Sequence, residues 1–221
     1  AGLWHLDTVA PPLDPAEPYT TPDASGNDNT GHLEPIGSEP ILVGGKFGKA
    51  LSFDGIDDQV HVLDSDSLDL TDGLTIEAWV RTSATGGILD KPNQQIVDKG
   101  EHLGGSGYML MIFGRQLWGR VNKDAGTTCI YAYPTDGAWH HVAYTFKSGE
   151  QVLYIDGTAV VTKDKVTTIV ANTRPLYIGN GYLRSYFWSG EIDEVRIWNV
   201  ALTSAEVAQS YALGTTGTMT D

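Results

Sequence analysis

Residues 190–203 read GEIDEVRIWNVALT and carry the strongest local signals in the chain. Apolar and polar side chains alternate as far as Trp198, which is typical of a β-strand with one buried face. Residues 203–206, TSAE, have the spacing of a capping box, so a short helix is predicted from residue 203 to about residue 213. The stretch therefore predicts a strand that leads directly into a capped helix.

Strand signals recur along the rest of the chain. Residues 74–80 (LTIEAWV) alternate most clearly, and Asp156-Gly157 lies between two apolar runs, as in a two-residue hairpin turn. Residues 7–40 hold seven of the ten prolines and are predicted to form a loop. Ten or more short strands with one short helix predict an all-β sandwich or barrel. The other predicted strands are residues 50–53, 59–62, 108–113, 116–122, 127–133, 140–146, 151–155, 158–163 and 176–178.

The composition excludes several classes of protein. The 221 residues carry a formal net charge of −14, which disfavours nucleic acid as a partner. No apolar run is long enough to cross a bilayer, so membrane insertion is not expected. The single cysteine, Cys129, allows no internal disulfide and no thiolate zinc site. We expect one domain over residues 1–213 and a flexible linker or tail over residues 214–221, as in a module tethered to other domains of a larger protein.

Seven segments, in this order, resemble the laminin G-like jelly-roll family of the concanavalin A-like lectin/glucanase superfamily. The resemblance implies an all-β jelly roll of two antiparallel sheets, one of them concave. It also implies a secreted or cell-surface setting, and it leaves lectins, adhesion domains and enzymes open as functions. The segments are residues 2–7 (GLWHLD), 23–31 (DASGNDNTG), 45–55 (GKFGKALSFDG), 74–80, 137–144 (GAWHHVAY), 153–157 (LYIDG) and 190–202.

The same resemblance implies a structural Ca²⁺ where an Asp-rich loop near the N-terminus meets the last strand. Ca²⁺ prefers six to eight hard oxygen ligands, which Asp, Asn and backbone carbonyls supply. The alternative is that the Asp23 loop is an Asx-type turn without a metal. The implied ligands are Asp23, Asn27, Asn29, Gly31, Ser52 and Asp193.

A glycosidase-like carboxylate pair is not expected in the last strand. Glycosidases of this superfamily carry Glu-x-Asp-x-Glu, but here Val195 stands at the fifth position and Glu194 points to the opposite face. Glu191 and Glu194 are therefore predicted to be solvated surface charges. A lyase needs Tyr or His near Arg or Lys, and no spacing selects a set from Arg115, Arg120, His61, His102 and Tyr131.

Aromatic residues offer a third kind of site. In residues 116–122, alternation predicts Leu117 and Val121 in the core and Trp118, Arg120 and Asn122 on the opposite face. Such a patch is typical of a glycan-binding surface, although half of these rings can instead be packing residues. We therefore predict a non-catalytic binding module, most plausibly for carbohydrate, with a lyase or hydrolase and a protein-adhesion domain as alternatives. The remaining ligand-binding candidates are Tyr131, Tyr133, Tyr182, Tyr186 and Trp188.

Overall fold

The computed structural model describes residues 2–82, 93–100, 105–122, 128–134, 136–164 and 168–216. These residues form sixteen strands, a short 3₁₀ helix (Asp66–Leu68) and the helix α1 (Ser204–Thr216). The strands are β1 (Gly2–Trp4), β2 (Thr20–Thr21), β3 (Gly31–Glu34), β4 (Ile41–Gly44), β5 (Lys49–Asp54), β6 (Gln59–Val62), β7 (Gly73–Thr82), β8 (Gln94–Gly100), β9 (Gly107–Phe113), β10 (Gln116–Val121), β11 (Thr128–Ala132), β12 (His140–Lys147), β13 (Glu150–Ile155), β14 (Thr158–Lys163), β15 (Leu176–Ile178) and β16 (Ser189–Trp198).

The strands form two antiparallel sheets. Sheet A has the order β14-β13-β12-β7-β16-β5-β4, and β1 also pairs with β16. Sheet B has the order β11-β10-β9-β8-β15-β6-β3-β2. The predicted all-β jelly-roll sandwich is confirmed.

The core lies between the two sheets because each strand alternates apolar and polar side chains. In β7, Ile76, Ala78 and Val80 belong to the core cluster, so Glu77 and Trp79 project from the outer face of sheet A. In sheet B, buried apolar side chains of β6, β8, β9, β10 and β15 belong to the same core cluster. Helix α1 packs on the outer face of sheet A, where the rings of Tyr211 and Trp79 stack at 5.6 Å.

The last strand occupies the centre of sheet A. β16 pairs with β7 on one side and with β5 and β1 on the other. A register shift between Asp193 and Arg196 marks a bulge, and Glu194 adopts a positive φ of 52° there. Glu194 is 3% exposed and its carboxylate bonds to Arg196 at 2.9 Å and to His5 at 2.7 Å. The prediction that Glu194 is a solvated surface charge is wrong, because the bulge turns it into a buried network.

The sequence predicted the hairpin turn and the helix cap correctly, but it did not predict where helix α1 ends. The Asp156-Gly157 hairpin joins β13 and β14, and both residues have positive φ (50° and 73°). The capping box forms as predicted, with the Thr203 N–H donating to Glu206 Oε2 at 2.7 Å. Helix α1 continues to Thr216, so the expected flexible tail does not begin at residue 214. No described helix is long and apolar enough to span a bilayer.

The segment predicted as a loop, residues 7–40, contains β2 and β3. β3 pairs with β6 and places Leu33, 1% exposed, in the core. Strand β3 has only four residues and is flanked by turn-forming residues. Its alternation is therefore too short for the strand to be predicted from the sequence.

Candidate functional site

The outer face of sheet B is the candidate binding surface. Register places one row of residues side by side across five neighbouring strands of this face. Paired residues of adjacent antiparallel strands point to the same side of a sheet, so the row shares one surface. It consists of His61, Tyr177, Asp98, Met109 and Arg120.

Three aromatic rings come together at one end of this face. The ring centroids of Phe113 and Trp118 lie 5.0 Å apart, and those of Phe113 and Tyr186 lie 6.2 Å apart in an edge-to-face arrangement. Arg120 lies two residues beyond Trp118 on the same strand and the same face. We call Phe113, Trp118, Arg120 and Tyr186 the aromatic–arginine patch.

Two hydrogen-bond donors in this patch have no protein partner. The Trp118 Nε1–H and the Arg120 Nε–H are buried and donate to no acceptor in the described part of the chain. Burying such donors costs free energy unless an acceptor arrives from outside. Both donor atoms lie below the accessible surface, whereas the four side chains of the patch are each partly exposed.

A cleft of about 450 Å³ adjoins the patch, and Tyr186 lies in its wall. The loop after β15 forms most of this wall. Its position is held by the Tyr182 N–H, which donates to Asp98 Oδ2 at 3.3 Å, and by the ion pair of Arg184 with Glu34 at 3.3 Å. The other lining residues are Gly55, Ile56, Asn93, Arg184, Ser185 and Phe187.

Asp98 is the buried carboxylate of this face, with 2% exposure. It accepts hydrogen bonds from the Gly100 N–H at 2.7 Å, from Gln95 Nε2 at 3.2 Å and from Tyr182. Burial raises the pKa of Asp98 to about 7, against the opposing effect of the backbone donors and of the Arg120 charge. Its oxygens hold the loop after β15, so they are occupied within the protein.

The predicted ligand-binding residues divide into two groups. Trp118, Arg120 and Tyr186 come together in the patch. Tyr133 is 5% exposed and Trp188 is fully buried, and both belong to the core cluster. A buried ring cannot stack on a sugar, so these two residues are removed from the site.

The other three candidates lie outside the patch. Asn122 holds the segment before β15, since its side chain donates to the Thr168 carbonyl and accepts from the Val170 N–H. Tyr131 pairs in register with Leu117, which is a core residue, so it lies on the opposite face from Trp118. Tyr182 is 43% exposed and stacks on the Arg174 guanidinium at 3.7 Å.

The predicted calcium ligands do not converge on one point. The Asp23 carboxylate accepts from the N–H groups of Leu3, Ser25 and Asn29 and from the Ser25 hydroxyl, which is the arrangement of a turn. Leu3 pairs with Arg196, so β1 separates the Asp23 loop from β16.

The remaining expected ligands are also engaged or distant. Asn27 is exposed and donates to Ser25 Oγ, and Asn29 donates to Ser67 Oγ. Gly31 belongs to β3 of sheet B, whereas Ser52 belongs to β5 of sheet A. Of this group, only Ser52 lies near Asp193, since it pairs with Glu191 two residues away on the neighbouring strand, whereas Gly31 lies in the other sheet.

Asp193 itself is a buried carboxylate with an unsatisfied oxygen. Its Oδ2 accepts from the Phe47 N–H at 2.9 Å, whereas its Oδ1 has no hydrogen-bond donor among the residues described. Burial raises the pKa of Asp193 to about 8, the backbone N–H groups of Phe47 and Lys46 oppose this, and the nearby charges of Glu194 and Asp7 add to it. Asp7 contacts the same loop, since it accepts from the Lys49 N–H at 2.7 Å.

The geometry does not assemble the catalytic sets considered from the sequence. His61 and Arg120 lie four strands apart, which is about 19 Å between their backbones. Arg115 lies in the exposed β9–β10 turn, and His102 is outside the described residues. The two carboxylates in the strands of sheet B are Glu34, bonded to Gln59 and Arg184, and Asp98, whose oxygens are occupied.

Sequence reasoning missed Phe113 and Asp98. Phe113 is the last residue of β9 and pairs with Gln116 of β10. The turn between these two strands therefore determines which aromatic rings lie next to the Phe113 ring. Periodicity from Leu110 and Ile112 could have placed Phe113 on the outer face, but only the fold brings it to Tyr186.

Comparisons with known proteins agree with this architecture. The binding domain of Paraclostridial Mosquitocidal Protein 1 is 19% identical, with a TM-score of 0.69 over 95% of this chain and 52% of that one. Domain 4 of AbnA, an extracellular arabinanase from Geobacillus stearothermophilus solved with arabinotriose, is 19% identical, with a TM-score of 0.63 over 85% of this chain and 90% of that one. The botulinum neurotoxin serotype D ligand-binding domain, solved with N-acetylneuraminic acid, is 15% identical, with a TM-score of 0.67 over 87% and 48%.

At these identities the solved structures show a shared fold, and the chain spans about half the length of the toxin binding domains it matches. A search of curated protein sequences gives no significant match. A family model described as the concanavalin A-like lectin/glucanases superfamily matches residues 53–208, which is more than two thirds of the chain. The chain therefore belongs to the concanavalin A-like lectin/glucanases superfamily, as a laminin G-like jelly roll.

Proposed function

We propose that this domain is a non-catalytic carbohydrate-binding module whose site is the aromatic–arginine patch. The observation that carries this proposal is the three-ring cluster of Phe113, Trp118 and Tyr186 beside two donors that lack acceptors in the described chain. Aromatic faces suit the apolar faces of sugar rings, and the partly exposed Arg120 guanidinium suits their hydroxyl groups. The adjoining cleft of about 450 Å³ gives room for an oligosaccharide.

The structural neighbours support the same proposal. One was solved with arabinotriose and another with N-acetylneuraminic acid, and each is a domain of a larger protein. By analogy we propose that the chain is a module of a larger extracellular protein. A catalytic role has less support, because no described pair of free carboxylates lies on the outer face of sheet B.

A glycan array tests the proposal. Trp118→Ala should abolish retention of the domain on its glycan, because the central ring of the patch is lost. Trp139→Ala is the matched control, since that ring stacks on Arg81 of sheet A at 5.1 Å and lies away from the patch. Retention by Trp118→Ala that equals that of the unaltered domain would refute the assignment.

We also propose that a Ca²⁺ ion binds at Asp193, as the family resemblance implies, but with Asp7 in place of Asp23. The unsatisfied Oδ1 of Asp193 is fully buried, and two further carboxylates lie close enough to raise its pKa. A cation would supply the missing counter-charge, and hard carboxylate oxygens are its preferred ligands. Asp193 and Asp7 both hold the loop of residues 46–49, so the ion would stabilise that loop.

Thermal unfolding in EDTA and in excess Ca²⁺ tests this second proposal. Ca²⁺ should raise the Tm of the domain, because an ion that binds only the folded state stabilises it. Asp193→Asn should abolish this effect, whereas Asp23→Asn should keep it although it removes a turn contact. A Ca²⁺ response that is lost in Asp23→Asn but kept in Asp193→Asn would restore the site expected from the sequence.

A further inference from the structure

We infer that the glycan bound at the aromatic–arginine patch carries a carboxylate, so that its class is a uronic or sialic acid rather than a neutral sugar. The inference rests on the proposed carbohydrate-binding function and specifies its ligand. Arg120 is the residue that would bind the carboxylate, and Trp118 is the ring on which the sugar would stack.

Arg120 differs from the other arginines of the strands. Arg81 pairs with Glu191 at 2.9 Å, and Arg196 pairs with Glu194 at 2.9 Å. Arg120 forms no ion pair and no hydrogen bond within the described residues, and its Nε is buried. Burial lowers its pKa, which reports the cost of holding an unpaired cation there. Its terminal nitrogens Nη1 and Nη2, which are not among the buried unpaired atoms, offer a planar pair of donors that matches a carboxylate.

The described carboxylate that interacts with Arg120, Asp98, does not neutralise it. Asp98 attracts Arg120 electrostatically but lies across β9 from it. Its oxygens accept from Gly100, Gln95 and Tyr182 instead. The charge of Arg120 is therefore available to a ligand.

The distribution of charge favours the same ligand. The chain has a net charge of −14, yet the strands of sheet B contain only two carboxylates, Glu34 and Asp98. The strands of sheet A contain six. Four of the six arginines, at positions 115, 120, 174 and 184, lie in sheet B or in the loops that adjoin its strands. An anion approaching the strands of sheet B therefore meets fewer carboxylates than one approaching the strands of sheet A.

The spacing within β10 suits one acidic sugar. Trp118 and Arg120 are two residues apart, so their side chains leave the sheet about 7 Å from each other. This distance is close to the width of a pyranose ring with its exocyclic carboxylate. A ring stacked on Trp118 can thus place its carboxylate against the Arg120 guanidinium.

Isothermal titration calorimetry with two matched ligand pairs tests the inference. The pairs are 3′-sialyllactose with lactose, and glucuronic-acid-substituted xylotriose with xylotriose. We expect the acidic member of at least one pair to bind about 10- to 100-fold more tightly, because a charged hydrogen-bonded pair contributes that much. A difference within the first pair would identify the acidic sugar as a sialic acid, and a difference within the second pair would identify it as a uronic acid.

Variants of Arg120 measure what its charge contributes to the affinity, separately from stacking on the Trp118 ring. Arg120→Gln should reduce the affinity for the acidic ligand to that for its neutral partner and leave the neutral affinity unchanged. Arg120→Lys should retain part of the discrimination, and it replaces Arg120→Gln if that variant fails to fold. Arg81→Gln on sheet A makes the same change in net charge and should alter neither affinity.

The outcomes distinguish the two proposals. Equal affinities within both pairs, with binding lost in Trp118→Ala, would overturn the acidic ligand and keep carbohydrate binding. Tight acidic binding that Arg120→Gln leaves unchanged would also overturn the inference. Failure of the domain to bind any of the four ligands, together with a blank glycan array, would refute the proposed function itself.

Discussion

Two buried carboxylates, one on the outer face of each sheet, are held in opposite ways. On sheet A, burial opposes ionisation of Glu77, but the hydrogen bond and charge of His141 and the charge of Arg196 outweigh it and lower the pKa. On sheet B, burial dominates and raises the pKa of Asp98 to about 7. The difference is in the partners: Glu77 has cations within ion-pair distance, whereas Asp98 has neutral donors.

The same contrast extends to the two faces as a whole. Helix α1 and the loop of residues 45–49 pack over Trp79 on sheet A, and Tyr211, Phe47 and Lys46 all contact its ring. On sheet B, Trp118 and Arg120 keep unpaired donors. Within the described residues, unpaired polar atoms occur on the covered face too, for example Trp79 Nε1 and His141 Nδ1, so the two faces differ in whether the chain covers them and not in whether every polar group is satisfied.

The largest effect is expected from breaking the network on sheet A. Glu77→Gln should lower the free energy of unfolding by about 3 kcal/mol, because Arg196 and His141 lose the anion between them in a buried site. Urea denaturation measures this change. Trp118→Ala on the open face should cost only about 1 kcal/mol, since its ring is partly exposed. Similar losses in both variants would contradict the contrast between the faces.

A smaller effect is expected from disturbing the cover on sheet A. A Cβ added at Gly214 would lie 2.3 Å from Trp79 Cζ2, so the helix must move away from the ring. Gly214→Ala should therefore destabilise the domain by about 2 kcal/mol in spite of the better helix propensity of alanine. Thermal unfolding measures the loss. Ala212→Gly, two residues earlier at an exposed position of the same helix, serves as the control and should cost about 1 kcal/mol through propensity alone. A Gly214→Ala domain as stable as the unaltered one would show that α1 does not press on sheet A.

The last effect is the pH dependence contributed by Asp98. Its folded pKa lies above the unfolded value of 3.8, so the folded state holds the proton more tightly between these values. Its contribution to stability should therefore fall as pH rises from about 4 to about 7. Glu77, whose pKa is lowered, should contribute the opposite slope at acid pH.

Asp98→Asn should flatten this slope, as measured by chemical denaturation at several pH values. Asp72→Asn, at an exposed turn, is the control and should leave the slope unchanged. A slope that persists in Asp98→Asn would assign the titration to another group.

The sequence allowed much of the fold to be predicted, because strand alternation, Gly-rich turns and capping are local. Residues 74–80 show this best, whereas the alternation in residues 190–198 is interrupted at Asp193 and Glu194, where the bulge lies. The site was predicted less well. Tyr133 and Trp118 were both predicted to bind a ligand, yet the Tyr133 ring is in the core and the Trp118 ring is on the outer face. Tyr131 pairs with Leu117, so Tyr131 and Tyr133, two residues further on, both face the core side of sheet B. This register between β11 and β10 cannot be read from either strand alone.

The sequence by itself determined the class of fold, the hairpin at Asp156-Gly157 and the placement of Trp118 and Arg120 on one face of β10. Tertiary structure decided which charges are neutralised. The bulge in β16 buries Glu194 against Arg196 and His5, and the strand order leaves Arg120 without an anion in contact. Pairing of charges depends on distances between remote segments, and alternation along a strand carries no information about those distances.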